Sequence, residues 1–273
     1  MAPAVEHLTV RSADGTRIAV DRSGHGPAVV LVHGAFTDRS FPTLVDVAAH
    51  LSPWFTVHNY DRRGRGGSGD TLPYAVEREV EDLAAVIDAA GGSAHVFGGS
   101  SGAGLAIEAA ARLPASSVAT LALWEPPYHV DATAPALPDD FGDQLDRLVA
   151  SGRPGDAVAR FLVEAAEVPS AGVAALRAGP GWPAAVALAP TLAYEAAVMG
   201  PGNRLPTSRL AAITEPTLVL TGGRSPSWMA SAGAAVAAAI PDAVHRVLPD
   251  QAHDVSGPAL GAELLEFFTC CAR

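Results

Sequence analysis

Gly98-Gly99-Ser100-Ser101-Gly102 is a Gly-x-Ser-x-Gly pentapeptide, and it stands where the strand pattern Ala94-His95-Val96-Phe97 gives way to a helix beginning near Ser101. A serine in that setting is forced onto a tight turn, and bulky neighbours two residues to either side would clash, hence the outer glycines. The turn carries the hydroxyl beyond the sheet edge to the N-terminus of the next helix. Free N–H groups and the positive end of the helix dipole there favour a developing oxyanion. Small residues cluster by chance in an Ala- and Gly-rich chain, so the strand–turn–helix setting gives the match its weight.

The flanking chain supplies the remaining elements. Residues 7–21 alternate around Asp14-Gly15 as a β-hairpin. The continuous apolar run 28–32, preceded by the turn Gly24-His25-Gly26-Pro27, fits a buried strand of a parallel sheet. A helix over 41–51 and a strand over 56–60 follow. Residues 74–90 read as an amphipathic helix with Val76, Val80, Leu83, Val86 and Ile87 on one face. After the pentapeptide come a helix to about residue 113 and a strand over 118–124. The alternation resumes with strand 217–221, helix 227–240, strand 244–248 and helix 258–268. Between Pro126 and about Ile213, proline and glycine punctuate short helical pieces (142–150, 155–166, 171–177 and 183–198) without any strand pattern. The expected architecture is α/β: a mostly parallel sheet flanked by helices, built from residues 1–125 and 214–273, with a helical insertion over 126–213.

Composition narrows the partners. The 273 residues suffice for one domain with a substantial core. A formal charge of −11, with arginine as the only basic residue besides histidine, offers no basic stripe for nucleic acid. Cys270 and Cys271 are adjacent and cannot form a disulfide framework, so a reduced tail is expected. The segment 1–7 lacks a basic and then apolar export pattern, and the apolar run 230–240 is too short to span a bilayer. These features predict a soluble, cytoplasmic protein with a small-molecule substrate and no nucleic-acid or membrane partner. No cofactor is expected, and no His/Cys/Asp cluster has metal-ligand spacing.

Further segments stand in order around the pentapeptide. His33-Gly34 follows the strand at 28–32, Asp61-Arg62-Arg63-Gly64-Arg65-Gly66-Gly67-Ser68 follows the strand at 56–60, and His253 precedes the last helix. In these features, over nearly its whole length, the chain resembles the α/β-hydrolase family. The resemblance implies Ser100 as nucleophile, His253 as base and the insertion as a lid over the pocket. It implies an oxyanion hole from the Ser101 N–H and that of Ala35, with Phe36 as second choice. Ser101 itself does not fit as nucleophile, since counting from it puts Ala103 where the second glycine belongs. His33 is expected to brace its loop, and His95 and His245, within strands, to be structural.

The acid departs from the common pattern. In most relatives an aspartate follows the strand before the penultimate helix, where Thr221-Gly222-Gly223-Arg224-Ser225-Pro226 offers only Ser225. One strand earlier, Glu125 ends Leu121-Ala122-Leu123-Trp124-Glu125, beside the pentapeptide strand. Some members of the fold, including certain haloalkane dehalogenases, take their acid from there. Glu125 is therefore the expected acid, ahead of Asp131, Asp250 and Asp254. A serine rather than a carboxylate nucleophile favours acyl transfer over dehalogenase or epoxide-hydrolase chemistry. The arginine-rich segment lacks the Gly-Lys-Ser/Thr ending of a phosphate loop, so its arginines are expected to bond backbone or lid carboxylates. Pocket candidates are Gly99, where many relatives carry a larger residue, with Trp124, Tyr128 and His129 at the hinge. The expected function is cofactor-independent hydrolysis of a small-to-medium apolar ester or lactone through an acyl-enzyme. Carbon–carbon bond hydrolysis, a lyase, acyl transfer or cyclisation on the same fold, and non-catalytic binding, stand as alternatives.

Overall fold

The computed structural model describes residues 4–271; residues 1–3, part of the segment read for an export signal, lie outside them. In chain order the elements are β1 (Val5–Arg11), β2 (Arg17–Gly24), β3 (Ala28–Val32), α1 (Pro42–Leu51), β4 (Thr56–Tyr60), α2 (Val76–Ala89), β5 (Ala94–Gly99), α3 (Ser101–Ala110) and β6 (Val118–Trp124). The insertion follows: α4 (Phe141–Ala150), α5 (Pro154–Glu164), α6 (Ser170–Ala178), α7 (Trp182–Ala187), α8 (Leu192–Met199) and α9 (Thr207–Leu210). The chain closes with β7 (Thr217–Gly222), α10 (Ser227–Ala239), β8 (Val244–Leu248) and α11 (Gly257–Cys271). Cys270 and Cys271 are exposed and free. Among the described residues no helix is long and apolar enough to cross a membrane.

The eight strands form one sheet in the order β1-β2-β4-β3-β5-β6-β7-β8. β1 and β2 pair antiparallel, as does β2 with β4, and every other neighbour is parallel. The apolar runs are explained by cover on both faces. Val30 and Val32 of β3 join the cluster that takes in Leu83 and Ile87 of α2, Leu105 of α3 and Val236 of α10. Val29 and Leu31, alternating with them, join Leu44, Val47 and Leu51 of α1 and Leu260, Leu264 and Phe268 of α11. Burying a side chain of this size contributes about 1.5–3 kcal/mol. Two such layers therefore hold the central strands rigidly, and their C-terminal tips become a fixed platform.

The insertion has an apolar cluster of its own around Phe141, Leu145, Val158 and Leu192. The single helix expected over 183–198 is instead three pieces, α7, a 3-10 turn over Ala189–Thr191, and α8. Pro190 is the cause, since its ring removes an N–H and crowds the preceding turn. The break redirects α8 onto α3, where Gly104 lets Met199 and Val198 approach closely.

Candidate active site

Ser100 occupies the turn between β5 and α3 with φ of 56° and ψ of −129°. A non-glycine residue held there costs on the order of 1–3 kcal/mol, and such strain collects where a structure needs it for function. Six non-glycine residues among those described have positive φ: Phe36, Ser100, Glu125, Glu167, Asn203 and Asp242. Four of them line one cavity, and Glu125 lies beside it. The turn is pinned by the Ser100 N–H, which donates to the Trp124 carbonyl at 2.8 Å. It is also packed tightly: a β-carbon on Gly98 would fall 2.5 Å from the Gly102 carbonyl oxygen.

Ser100 Oγ lies 3.2 Å from His253 Nε2, and His253 Nδ1 lies 2.7 Å from Glu125 Oε2. An ionised carboxylate can only accept, so Nδ1 carries the proton and Nε2 is left free to accept from the serine hydroxyl. Glu125 is fully buried while the His253 side chain is 42% exposed. The acid's second oxygen accepts the Gly222 N–H at 2.8 Å, at the tip of β7. Trp124 Nε1 donates to the His253 carbonyl at 3.0 Å and so fixes the histidine's loop.

Two cavities meet at Ser100, and Ser100, Ala35 and His253 line both. The core-side cavity, of about 230 Å³, is walled by Gly99, Phe97, Trp124, Leu44, Val255 and Leu260. The insertion-side cavity, of about 280 Å³, is walled by Phe36, Ser101, Phe141, Phe161, Met199 and Met229, with Glu167, Glu195 and Asn203 as polar members. Ala35 and Phe36 sit in the loop after β3, and Ser101 opens α3, where first-turn N–H groups have no partner within the helix.

Tyr128 and His129 line neither cavity. The Tyr128 N–H bonds the Pro126 carbonyl at 2.8 Å, and this tight turn sends the ring into the main core with Val198 and Met199. His129 packs edge-on against Trp228, 5.4 Å between ring centres. Of the other acids considered, Asp131 is exposed and bonds Thr133, Asp250 is exposed, and Asp254 lines the core-side cavity.

The arginine segment after β4 is an internal charge network. Arg62 is bidentate to Glu79, at 2.7 and 2.8 Å, and reaches Glu195 at 2.9 Å. Arg65 also bonds Glu195, and Arg63 is bidentate to Asp82 at 2.7 and 2.8 Å. All three arginines are fully buried. Burial alone would raise the Glu79 carboxyl, but Arg62, with Arg65 and the Tyr74 hydroxyl, brings it down to about 2. Burial and the charges of Arg65 and Arg62 hold the His33 pKa well below the usual imidazole range. His33 is thus a neutral brace, its Nε2 accepting the Arg62 N–H at 3.1 Å. Sequence inspection named neither Glu195 nor the α1 and α11 side of the pocket. The one signal for Glu195 was a lone acid in the otherwise apolar stretch Leu192–Met199.

Known proteins share this fold. A solved α/β hydrolase from Sphaerobacter thermophilus is 52% identical, over 96% of this chain and 100% of that one, with a TM-score of 0.88. A thermophilic esterase from Thermogutta terrifontis shares the fold at 22% identity, over 97% and 99% of the two chains, with a TM-score of 0.71. A 107-residue stretch is 36% identical to the uncharacterized hydrolase YraK of Bacillus subtilis (strain 168), covering 37% of this chain and only 38% of that protein. The model of the alpha/beta hydrolase family matches residues 29–262, from β3 into the first turns of the helix after His253, and to that family the chain belongs.

Proposed function

We propose that the protein is a cofactor-independent serine hydrolase acting on a small-to-medium apolar carboxylic ester or lactone. The observation that carries this is the unbroken relay from Ser100 Oγ through His253 to Glu125, opening onto apolar cavities. Ser100 Oγ attacks the carbonyl carbon as His253 Nε2 takes its proton. Glu125 holds the ring in the required tautomer and stabilises the imidazolium. The N–H groups of Ala35 and Ser101 receive the developing oxyanion. Collapse breaks the ester bond, His253 gives its proton to the leaving alkoxide, and an acyl group stays on Ser100. Water, deprotonated by His253, then attacks that acyl group and releases the acid with Ser100 restored.

The insertion over residues 126–213 serves as the lid, with Phe141, Phe161 and Met199 closing the site from above. Two cavities of about 230 and 280 Å³ suit compact substituents on both sides of the carbonyl. Ser225 supplies no carboxylate at the commoner acid position, and a fully buried Glu125 in contact with His253 supports that role for Glu125 instead.

The test is a fluorophosphonate probe read by intact mass. A single adduct on the native chain, absent in Ser100→Ala, is expected. Well-folded protein that takes up no probe would overturn the serine-hydrolase assignment.

A further inference from the structure

Three glycines lie within two residues of Ser100, and backbone packing requires only two of them. A β-carbon on Gly98 would sit 2.5 Å from the Gly102 carbonyl oxygen and 2.7 Å from the Ala103 α-carbon; one on Gly102 would sit 2.5 Å from the Val32 carbonyl oxygen. These are main-chain atoms at the centre of the fold and cannot yield. Gly99 differs. Its φ lies outside the left-handed region, and a β-carbon there would meet only the Phe97 ring, at 3.5 Å, an ordinary van der Waals contact.

Gly99 and Phe97 are both walls of the core-side cavity, so a side chain at residue 99 would grow into that space. The cavity, about 230 Å³, exceeds the roughly 150 Å³ apolar cavity that is known to hold benzene. Its other walls include Leu44, Trp124, Val255 and Leu260, all buried and apolar. Thr37, Thr43 and Asp254 are among its polar members. Neither the backbone conformation nor main-chain packing at residue 99 requires glycine.

We propose that Gly99 is a specificity-determining residue: by carrying no side chain it holds open a subsite, adjoining Ser100, for a phenyl-sized apolar substituent on the substrate's carbonyl. This rests on the assignment of Ser100 as nucleophile. The substituent can belong to the acyl or the alcohol half of an ester, and the two are separable by experiment.

Gly99→Ala and Gly99→Leu are compared with the native protein on ethyl acetate, benzyl acetate and ethyl phenylacetate, with thermal melting as the check on folding. In the leucine variant, kcat/KM for an aryl ester relative to ethyl acetate falls on the order of 10- to 100-fold, the loss expected when one aromatic group can no longer be buried. The alanine variant shows a smaller step in the same direction. A fall confined to benzyl acetate assigns the cavity to the alcohol half, and one confined to ethyl phenylacetate assigns it to the acyl half. Unchanged ratios, or a parallel fall on all three esters, overturns the proposal, since residue 99 would then act on the nucleophile rather than on the cavity. Saturation-transfer NMR of both aryl esters with Ser100→Ala, and with Ser100→Ala/Gly99→Leu, gives a readout independent of turnover. Weaker aryl-ester binding in the double variant supports the subsite even if the native protein hydrolyses nothing, which would overturn the hydrolase assignment alone. Equal binding in both overturns the subsite.

Discussion

Glu125 and His253 are 128 positions apart in the chain and 2.7 Å apart in space. Glu125 makes the contact from the end of β6, while its other oxygen takes the N–H of Gly222 at the end of β7. The strand tip that offers no aspartate of its own thus anchors the carboxylate of its neighbour. Two adjacent parallel strands cooperate in one carboxylate position, and both oxygens are engaged.

Replacing Glu125 with glutamine tests that position. The amide keeps the size of the side chain but can present an N–H to His253 Nδ1, which favours the tautomer with the proton on Nε2 and leaves Ser100 without a base. Turnover is expected to fall on the order of 1,000- to 10,000-fold, as removal of a triad carboxylate's charge does elsewhere. The check is kcat on any accepted ester alongside the thermal midpoint. Turnover near the native value would assign the acid elsewhere.

Glu195 joins α8 to the loop after β4 through Arg62 and Arg65. Glu195→Gln leaves two buried guanidinium groups short of one negative charge. A loss of about 3–5 kcal/mol is expected, the usual result of breaking a buried ion pair from one side. Urea unfolding measures it. Arg65→Met in the same chain should recover part of that loss, because it removes one of the two cations that then share Glu79 alone.

Much of this could be read along the chain, and the exceptions share a physical origin. Strand positions were legible because residues such as Val29–Val32 are covered on both faces and so are apolar without interruption. The turn at Ser100 was legible because Gly98 and Gly102 are demanded by neighbours within a few residues or by the adjoining strand. Tyr128 and His129 are expected at the pocket because they stand at the hinge where the insertion begins. The tight turn at Pro126–Tyr128 turns them away, and its two prolines mark a turn without saying which way the following side chains face. The core-side cavity joins Leu44 of α1 to Leu260 of α11, elements from opposite ends of the chain, and no local pattern encodes that meeting.

Glu79 gives the fold an acid-sensitive element. Its folded pKa, about 2, lies below the ordinary glutamate value of 4.5, so the folded state binds its proton less readily than the unfolded chain. Its contribution is therefore complete above about pH 4.5 and is lost as pH falls toward 2. The stability difference between the native protein and Glu79→Gln should be constant from pH 7 to 5 and then shrink steadily. Denaturant midpoints of both proteins at pH 7, 5, 4 and 3 check this. A gap that stays constant to pH 3 would show that Glu79 is not held ionised by Arg62.

Phe36 stands between two apolar spaces. It lines the insertion-side cavity, and it also lines an open groove on the outer surface of the insertion with Leu162, Val168, Leu176 and Trp182. Its ring packs edge-on against Phe161, 5.5 Å between centres. Truncation to alanine keeps the residue's N–H and leaves its positive φ no less strained, while removing the wall between cavity and groove. Longer chains should then thread outward, so hexanoate and octanoate esters gain on acetate by on the order of tenfold in kcat/KM, a magnitude ordinary for hydrophobic discrimination of this kind. The check is the chain-length profile of 4-nitrophenyl esters for the native protein and Phe36→Ala. A uniform fall across the series would mean that Phe36 supports the oxyanion loop and does not gate a chain.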